Sequence, residues 1–466
     1  MMTRSILSVF FLLFIVQTVC GQTLPVKPLD SSLQQPDHSM DMMHMPGMHH
    51  NADTAGTEID PGMSHAYSLH LPMSRNGSGT GWLPDNAPMY GTMIHHNKWM
   101  YMIHGNLFLR YNKQDLTGKG SRGNEKFDAP DWLMLMAQRQ VGKNGLFHFS
   151  SMFSLDAITG GNGYPLLFQS GEAYNGKPIV DRQHPHDLFS GLSVAYTQAL
   201  SAKTDVYVYL GYPGEPALGP VAFMHRPSSV ENPNAPLTHH WTDATHITFG
   251  VATVGIRYGQ VKLEGSSFTG REPDSRRYNF DRPRFDSWST RLSLNLSPMV
   301  ALQVSHGFIK SPEALRPQED VHRTTASAIF SKALDCGPFN AVLLWGMNKT
   351  KDVAAAHAFL AEASQGVYRT SLYTRYEWVQ KSSEELNLDE ATYGNTAFAI
   401  QAFTLGANYR LLSIGNVNLA LGGQMSLYHA PAALDQLYGH YPLAAEVYLR
   451  IYPGRMMMGM MKMQGA

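Results

Sequence analysis

The feature that most constrains this chain is a side-chain period of two, held over segments of about ten residues and repeated many times. Leu292, Leu294 and Leu296 alternate with Arg291, Ser293, Asn295 and Ser297. Phe403, Leu405, Ala407, Tyr409 and Leu411 alternate with Thr404, Gly406, Asn408 and Arg410, and Val417, Leu419, Leu421 and Met425 with Asn418, Ala420, Gln424 and Ser426. Near the end Val447, Leu449 and Ile451 oppose Glu446, Tyr448 and Arg450. Successive side chains of a strand point to opposite faces, so each segment has one apolar side, fit for lipid, and one polar side, fit for an aqueous interior. A soluble sandwich also alternates, but it rarely needs so many strands of about ten residues, the length that crosses an outer membrane. No later stretch is apolar enough for a transmembrane helix, so strands must carry any crossing.

Connection lengths give an independent test. Strands are expected near 99–111, 131–140, 146–156, 189–200, 204–212, 246–258, 260–269, 286–297, 299–309, 321–333, 339–350, 356–363, 367–380, 396–411, 416–428 and 443–452, and long connections between them alternate with short ones. The short set is Val141 to Gly145, Ser201 to Lys203, Gly259, Pro298, Asp335 to Pro338, Ser364 to Gly366 and Leu412 to Gly415. Outer-membrane barrels have this asymmetry, with short periplasmic turns and longer external loops. The expected fold is all-β, a transmembrane antiparallel β-barrel of roughly 16 strands, with about 14 to 18 compatible. Its parity puts both termini in the periplasm and the connections 157–188 and 213–245 on the outer side or folded into the lumen. Pro88 to His96, turning at Asn97-Lys98, is a candidate further strand that would disturb this parity.

The ends of the chain read differently. Arg4 precedes the apolar run Val9 to Val16, too short to span a bilayer and followed by small residues, which is the pattern of a cleaved secretory signal. Residues 1–21 are therefore expected to be a signal peptide, 22–81 a disordered periplasmic tail, 82–453 the barrel and 454–466 a Met-rich C-terminal tail. If Cys20 leaves with the signal, only Cys336 remains and no intramolecular disulfide forms. In the tail His38, Met40, Met42, Met43, His44, Met45, Met48, His49 and His50 crowd into thirteen positions. Thioether and imidazole ligands suit copper, especially Cu(I), or another soft or borderline ion, although the tract is also explained as an accident of composition. Met456 to Met463 repeats the theme at the other end.

A second histidine set lies inside loop-like sequence between Asp181 and His246, and loops carry function more often than framework does. His184 and His186, flanking Pro185, place both rings on one side of an extended segment, and Asp187 ligates or orients a ring in the metal reading. His225, His239, His240 and His246 complete such a site if the two long loops touch. In the bland reading these residues hydrogen-bond one another and pack the Pro-rich loops over the barrel mouth, with Arg182, Arg226 and Asp243 in ion pairs. No nucleophile elbow, phosphate loop, HExxH pair or CxxC pair supports catalysis.

Several segments carry a resemblance: Trp82-Leu83-Pro84-Asp85, Trp132-Leu133-Met134-Leu135-Met136, Tyr164 to Glu172, Gln183-His184-Pro185-His186-Asp187-Leu188, Pro213 to Pro220, His225-Arg226-Pro227-Ser228 and Gly270 to Asp274. From about Trp82 to the last strand the chain resembles an uncharacterised family of Gram-negative outer-membrane proteins. The resemblance implies a barrel and, through genes that often neighbour such proteins, a link to copper or other heavy-metal handling. It implies no activity, and the His/Met tail lies outside it.

The chain is thus expected to be a non-enzymatic outer-membrane barrel, monomeric or trimeric, that passes or binds a small solute in a metal-linked setting. The alternative is a surface metal-dependent enzyme or binding protein with its site in the 181–246 loops. Expected partners are outer-membrane lipid, the barrel-assembly and periplasmic chaperone machinery, and metal ions. The near balance of 36 Lys plus Arg against 37 Asp plus Glu argues against nucleic acid.

Overall fold

The computed structural model describes residues 64–456. In chain order its strands begin with β1 (Ser64–His65), β2 (Ser68–Pro72), β3 (Thr92–His96), β4 (Trp99–Lys113), β5 (Glu125–Asp128), β6 (Asp131–Val141), β7 (Gly145–Phe153), β8 (Tyr164–Tyr174), β9 (Lys177–Gln183), β10 (Phe189–Ser201) and β11 (Thr204–Gly211). They continue with β12 (Val251–Tyr258), β13 (Val261–Phe268), β14 (Ser287–Ser297), β15 (Val300–Ile309), β16 (Val321–Leu334), β17 (Gly337–Thr350), β18 (Ala356–Val367), β19 (Thr370–Ser382), β20 (Ala397–Ile414), β21 (Val417–His429) and β22 (Leu443–Pro453).

A closed antiparallel barrel of 16 wall strands is formed by β4, β6, β7 and β10 to β22. It shuts where β22 pairs with β4, Leu449 opposite Leu109. The candidate strand before Asn97 exists as β3, but it lies below β22 along the same edge of β4, with Thr92 opposite Ile103, so the parity survives. β5 likewise continues the line of β6, pairing with the upper part of β4.

The two faces of the wall sort as the alternation requires. Leu292 and Leu296 are 48% and 67% exposed, whereas Arg291, Ser293 and Asn295, which alternate with the leucines, are buried. Val447 and Leu421 also face outward, and Glu446, Tyr448, Arg450, Asn418 and Gln424 face inward. An exterior of Leu, Val and Tyr around an interior of Arg, Glu and Asn is the inverse of a water-soluble sheet, and closure leaves no unpaired edge in lipid.

Three segments fill the lumen. Residues 64–81, read from sequence as part of a disordered tail, belong instead to an ordered segment, 64–91, that enters the barrel with the β1–β2 hairpin. Tyr67 stacks on Tyr207 of the wall with ring centroids 5.3 Å apart, and Arg75 grips Asp85 through two bonds of 2.5 and 2.7 Å while its guanidinium lies over Trp82. This stretch lacks a regular period because it packs as irregular chain against side chains on several walls. The second segment is the β8–β9 hairpin, which the alternation did not reveal; its Leu166, Leu167 and Phe168 pack with Trp241, Ile400, Tyr428 and Tyr438. The third, between β11 and β12, hangs from a neck where Gly214 and Thr248 exchange backbone hydrogen bonds, each 2.9 Å. The expected signal peptide, Cys20, the remainder of residues 22–63 with the His/Met tract, and residues 457–466 lie outside the described residues.

Buried ion pairs clamp the third segment to the wall. Arg226 meets Asp243 at 2.8 Å within the segment and Glu362 of β18 at 3.3 Å, and Glu362 in turn meets Arg375 of β19 at 2.7 Å. Asn234 accepts from Arg110 and donates to Glu446, both at 2.5 Å. Arg291 donates to the Gly219 carbonyl at 3.2 Å while pairing with Glu264 at 3.0 Å. Every one of these charges has an opposite partner, and removing one partner of such a buried pair costs about 3–5 kcal/mol.

Candidate metal centre in the lumen

His239 and His240 sit on a single helical turn, His239–Thr242, inside the third luminal segment. The turn is aimed by its backbone: Thr238 N–H donates to Glu377 of β19 at 3.1 Å, and the His240 carbonyl accepts from Arg323 of β16 at 2.6 Å and Asn348 of β17 at 2.9 Å. His184 arrives from the connection between β9 and β10, where Pro185 stiffens the chain. One ligand nitrogen from each of His184, His239 and His240 lies within 4.8 Å of the others. Ring centroids are 5.2 Å apart for His239–His240, 6.0 Å for His184–His240 and 6.3 Å for His184–His239. An ion with nitrogen ligands at about 2.0–2.1 Å needs them roughly 3.4 Å apart in tetrahedral array, so a small inward movement of the rings closes the set.

The surroundings favour the ligating form of imidazole. His239 Nδ1 donates to Asp243 at 2.8 Å, which leaves Nε2 to face the other rings, the carboxylate–histidine arrangement found behind bound metals. Burial pulls His239 down to about 4 in spite of Asp243, so the ring is neutral at pH 7. Against the upward pull of burial, His239 and Arg226 hold Asp243 well below the usual carboxylate range. Gly171, at φ 128°, lets the β8 backbone lie against the His240 ring, where any side chain would collide.

The other residues singled out from sequence divide. His246 joins the group, its ring 5.1 Å from His239 and 5.5 Å from His186, with Nδ1 donating to the Asp243 carbonyl at 2.9 Å. Burial, with the charges of His239 and His186 adding to it, keeps His246 far below its ordinary value. His186 behaves oppositely: burial lowers it, but a 2.7 Å bond to Asp156 prevails and raises it. Asp187 is engaged by Arg277 at 3.4 Å. His225 turns toward the β4–β6 wall, 4.6 Å from Trp132 and 5.9 Å from His104, away from the triad.

Sequence reasoning did not single out Asp156, Glu272 or Phe223. Asp156 was read within a strand ending at 156, whereas β7 ends at Phe153 and Asp156 opens a short helical turn facing the lumen. Glu272, between β13 and β14, brings a carboxylate 3.8 Å from His240. Phe223 inserts among His186, His239 and His246, with centroids 5.4 to 6.4 Å away. None of the three has a local pattern that marks it.

No protein-family model matches this chain, and no curated protein matches it. Solved structures similar to it include OmpF of Salmonella typhi in complex with daunomycin, 9% identical, spanning 78% of this chain and 100% of the other with a TM-score of 0.48. An anion-selective porin from Comamonas acidovorans is 10% identical over 76% of this chain and 99% of its own, with a TM-score of 0.47. A BenF-like porin from Pseudomonas fluorescens Pf-5 is 12% identical over 76% and 99%, with a TM-score of 0.38.

Proposed function

We propose that this chain is a non-enzymatic outer-membrane barrel whose filled lumen binds a borderline first-row metal ion through His184, His239 and His240. The observation that carries this reading is the convergence, within 4.8 Å, of three imidazole nitrogens from two separate luminal segments, with Asp243 orienting one ring. Imidazole suits Cu(II), Zn(II) and Ni(II) better than hard cations, which accords with the copper or heavy-metal setting that the sequence resemblance implies. A three-histidine set keeps an open position for water or an exchangeable ligand. Because three segments occupy the lumen, the barrel serves as a holder, and any passage of a solute depends on movement of those segments.

Metal analysis of the purified full-length protein tests this. His239→Ala and His240→Ala each lower the bound Cu(II) or Zn(II) by about one equivalent, and the double change costs less than the sum because both act in one site. Any ions held by the N-terminal tail are common to all these proteins and cancel. Unchanged metal content in all three variants leaves the histidines with a packing role alone.

A further inference from the structure

A second set of metal-competent side chains lies on the β4–β6 wall, apart from the histidine centre. In the β4–β6 register Met102 faces Met136, His104 faces Met134 and Asn106 faces Trp132. These side chains point inward, while Tyr101, Ile103, Leu133 and Leu135 between them are exposed on the outside. The hydrocarbon thus faces lipid and the sulfur faces the lumen. Met224 and His225 approach from the third luminal segment, and with Met102, His104, Met134 and Met136 they border a cavity of about 100 Å³. His104 and His225 are 5.9 Å apart, with Trp132 against both rings at 5.1 and 4.6 Å.

Methionine as gap filler does not account for this. Filler closes voids, whereas these thioethers border one larger than the roughly 30 Å³ share of a water molecule. His104 Nε2 is buried with no hydrogen-bond partner among the described residues, so its lost hydration goes uncompensated unless something binds there. Imidazole and thioether together are the ligands of soft ions; among the described residues no carboxylate borders the cavity to attract a hard one, and its charged border group, Arg450, is paired with Glu231 at 3.7 Å.

We infer that Met102, Met134, Met136 and Met224, with His104 and His225, form a luminal site for a soft monovalent cation, Cu(I) or Ag(I). The site is distinct from the three-histidine centre in both residues and ion class, so either stands without the other. It lies toward the barrel end that carries the short turns, where Met73, Met89 and Met100 extend the sulfur-rich surface.

Ag(I), which needs no reductant, is the probe. Titration of the full-length protein in detergent, followed by silver analysis, is compared with the variant carrying Met102→Leu, Met134→Leu, Met136→Leu and Met224→Leu, which keeps side-chain volume while removing sulfur. The variant is expected to bind one equivalent fewer, and His239→Ala to bind the same number as the parent. A folded variant that retains every silver equivalent overturns the inference. If the quadruple variant does not fold, Met136→Leu alone decides: affinity at one site weakened about tenfold supports the site, and an unchanged isotherm overturns it.

Discussion

At the scale of single residues, neighbouring luminal histidines are pushed in opposite directions by their surroundings. His239 and His246 are lowered by burial, His239 to about 4, whereas His186 is raised by Asp156. A lowered histidine resists a proton in the folded state that the unfolded chain accepts near pH 6.5, so its contribution to stability falls as pH drops from about 6.5 toward 4. The raised His186 contributes fully below about pH 6.5 and loses its contribution as pH rises through its folded value. His225, in the same segment, is lowered as well, to about 3, so His239, His246 and His225 all resist a proton in the folded state, and acid should loosen the third luminal segment. Limited proteolysis of that segment is expected to be faster at pH 4.5 than at pH 7.5, and saturating Zn(II) should protect it at the higher pH by binding the folded form. Equal cleavage at both pH values would mean that the histidines do not control the segment.

At the scale of elements, the wall was legible in the sequence and the contents of the lumen were not. Lipid imposes a rule on every strand that crosses it, so Leu292, Leu294 and Leu296 announce β14, and the turn at Gly415 announces where β20 gives way to β21. Nothing imposes a period on chain inside the barrel: Tyr67 and Arg75 pack as specifically as any core residue, yet their segment reads as tail. His225 shares motif and loop with the other histidines but faces a different wall, a separation that depends on where the chain turns after Phe223. The structure also changes what the two faces of a strand tolerate. Leu421→Arg should cost roughly 2–4 kcal/mol if the side chain sits at the bilayer midplane, read as lost heat-modifiable gel mobility. From sequence, Asn295→Arg is expected to be mild because it faces inward, but Asn295 is buried and donates to the Leu83 carbonyl at 2.9 Å. It is therefore expected to leave the barrel closed while exposing residues 64–91 to protease, and a protected segment would argue against this packing.

At the scale of the whole molecule, the barrel resembles a vessel more than a pipe. Planar-bilayer recordings of the full-length protein should show little conductance, since luminal segments and their buried ion pairs fill the cross-section. Replacing residues 215–247 by a two-residue turn should leave a heat-modifiable barrel that conducts more than the parent, because the strands on either side are already paired and one of the three luminal segments is gone. A conducting parent, or an excised protein no more conductive than the parent, would refute the stopper role. That excision is conceivable because of the neck. The β11–β12 ladder runs in register up to Gly211 opposite Val251, and Gly214 and Thr248 bond just beyond it, as they would in a plain hairpin. The wall does not register what hangs between them. Wall and contents can therefore change independently, the wall answering to the bilayer and the contents to what the lumen must close or hold, so this one stem admits a different insert without disturbing a strand.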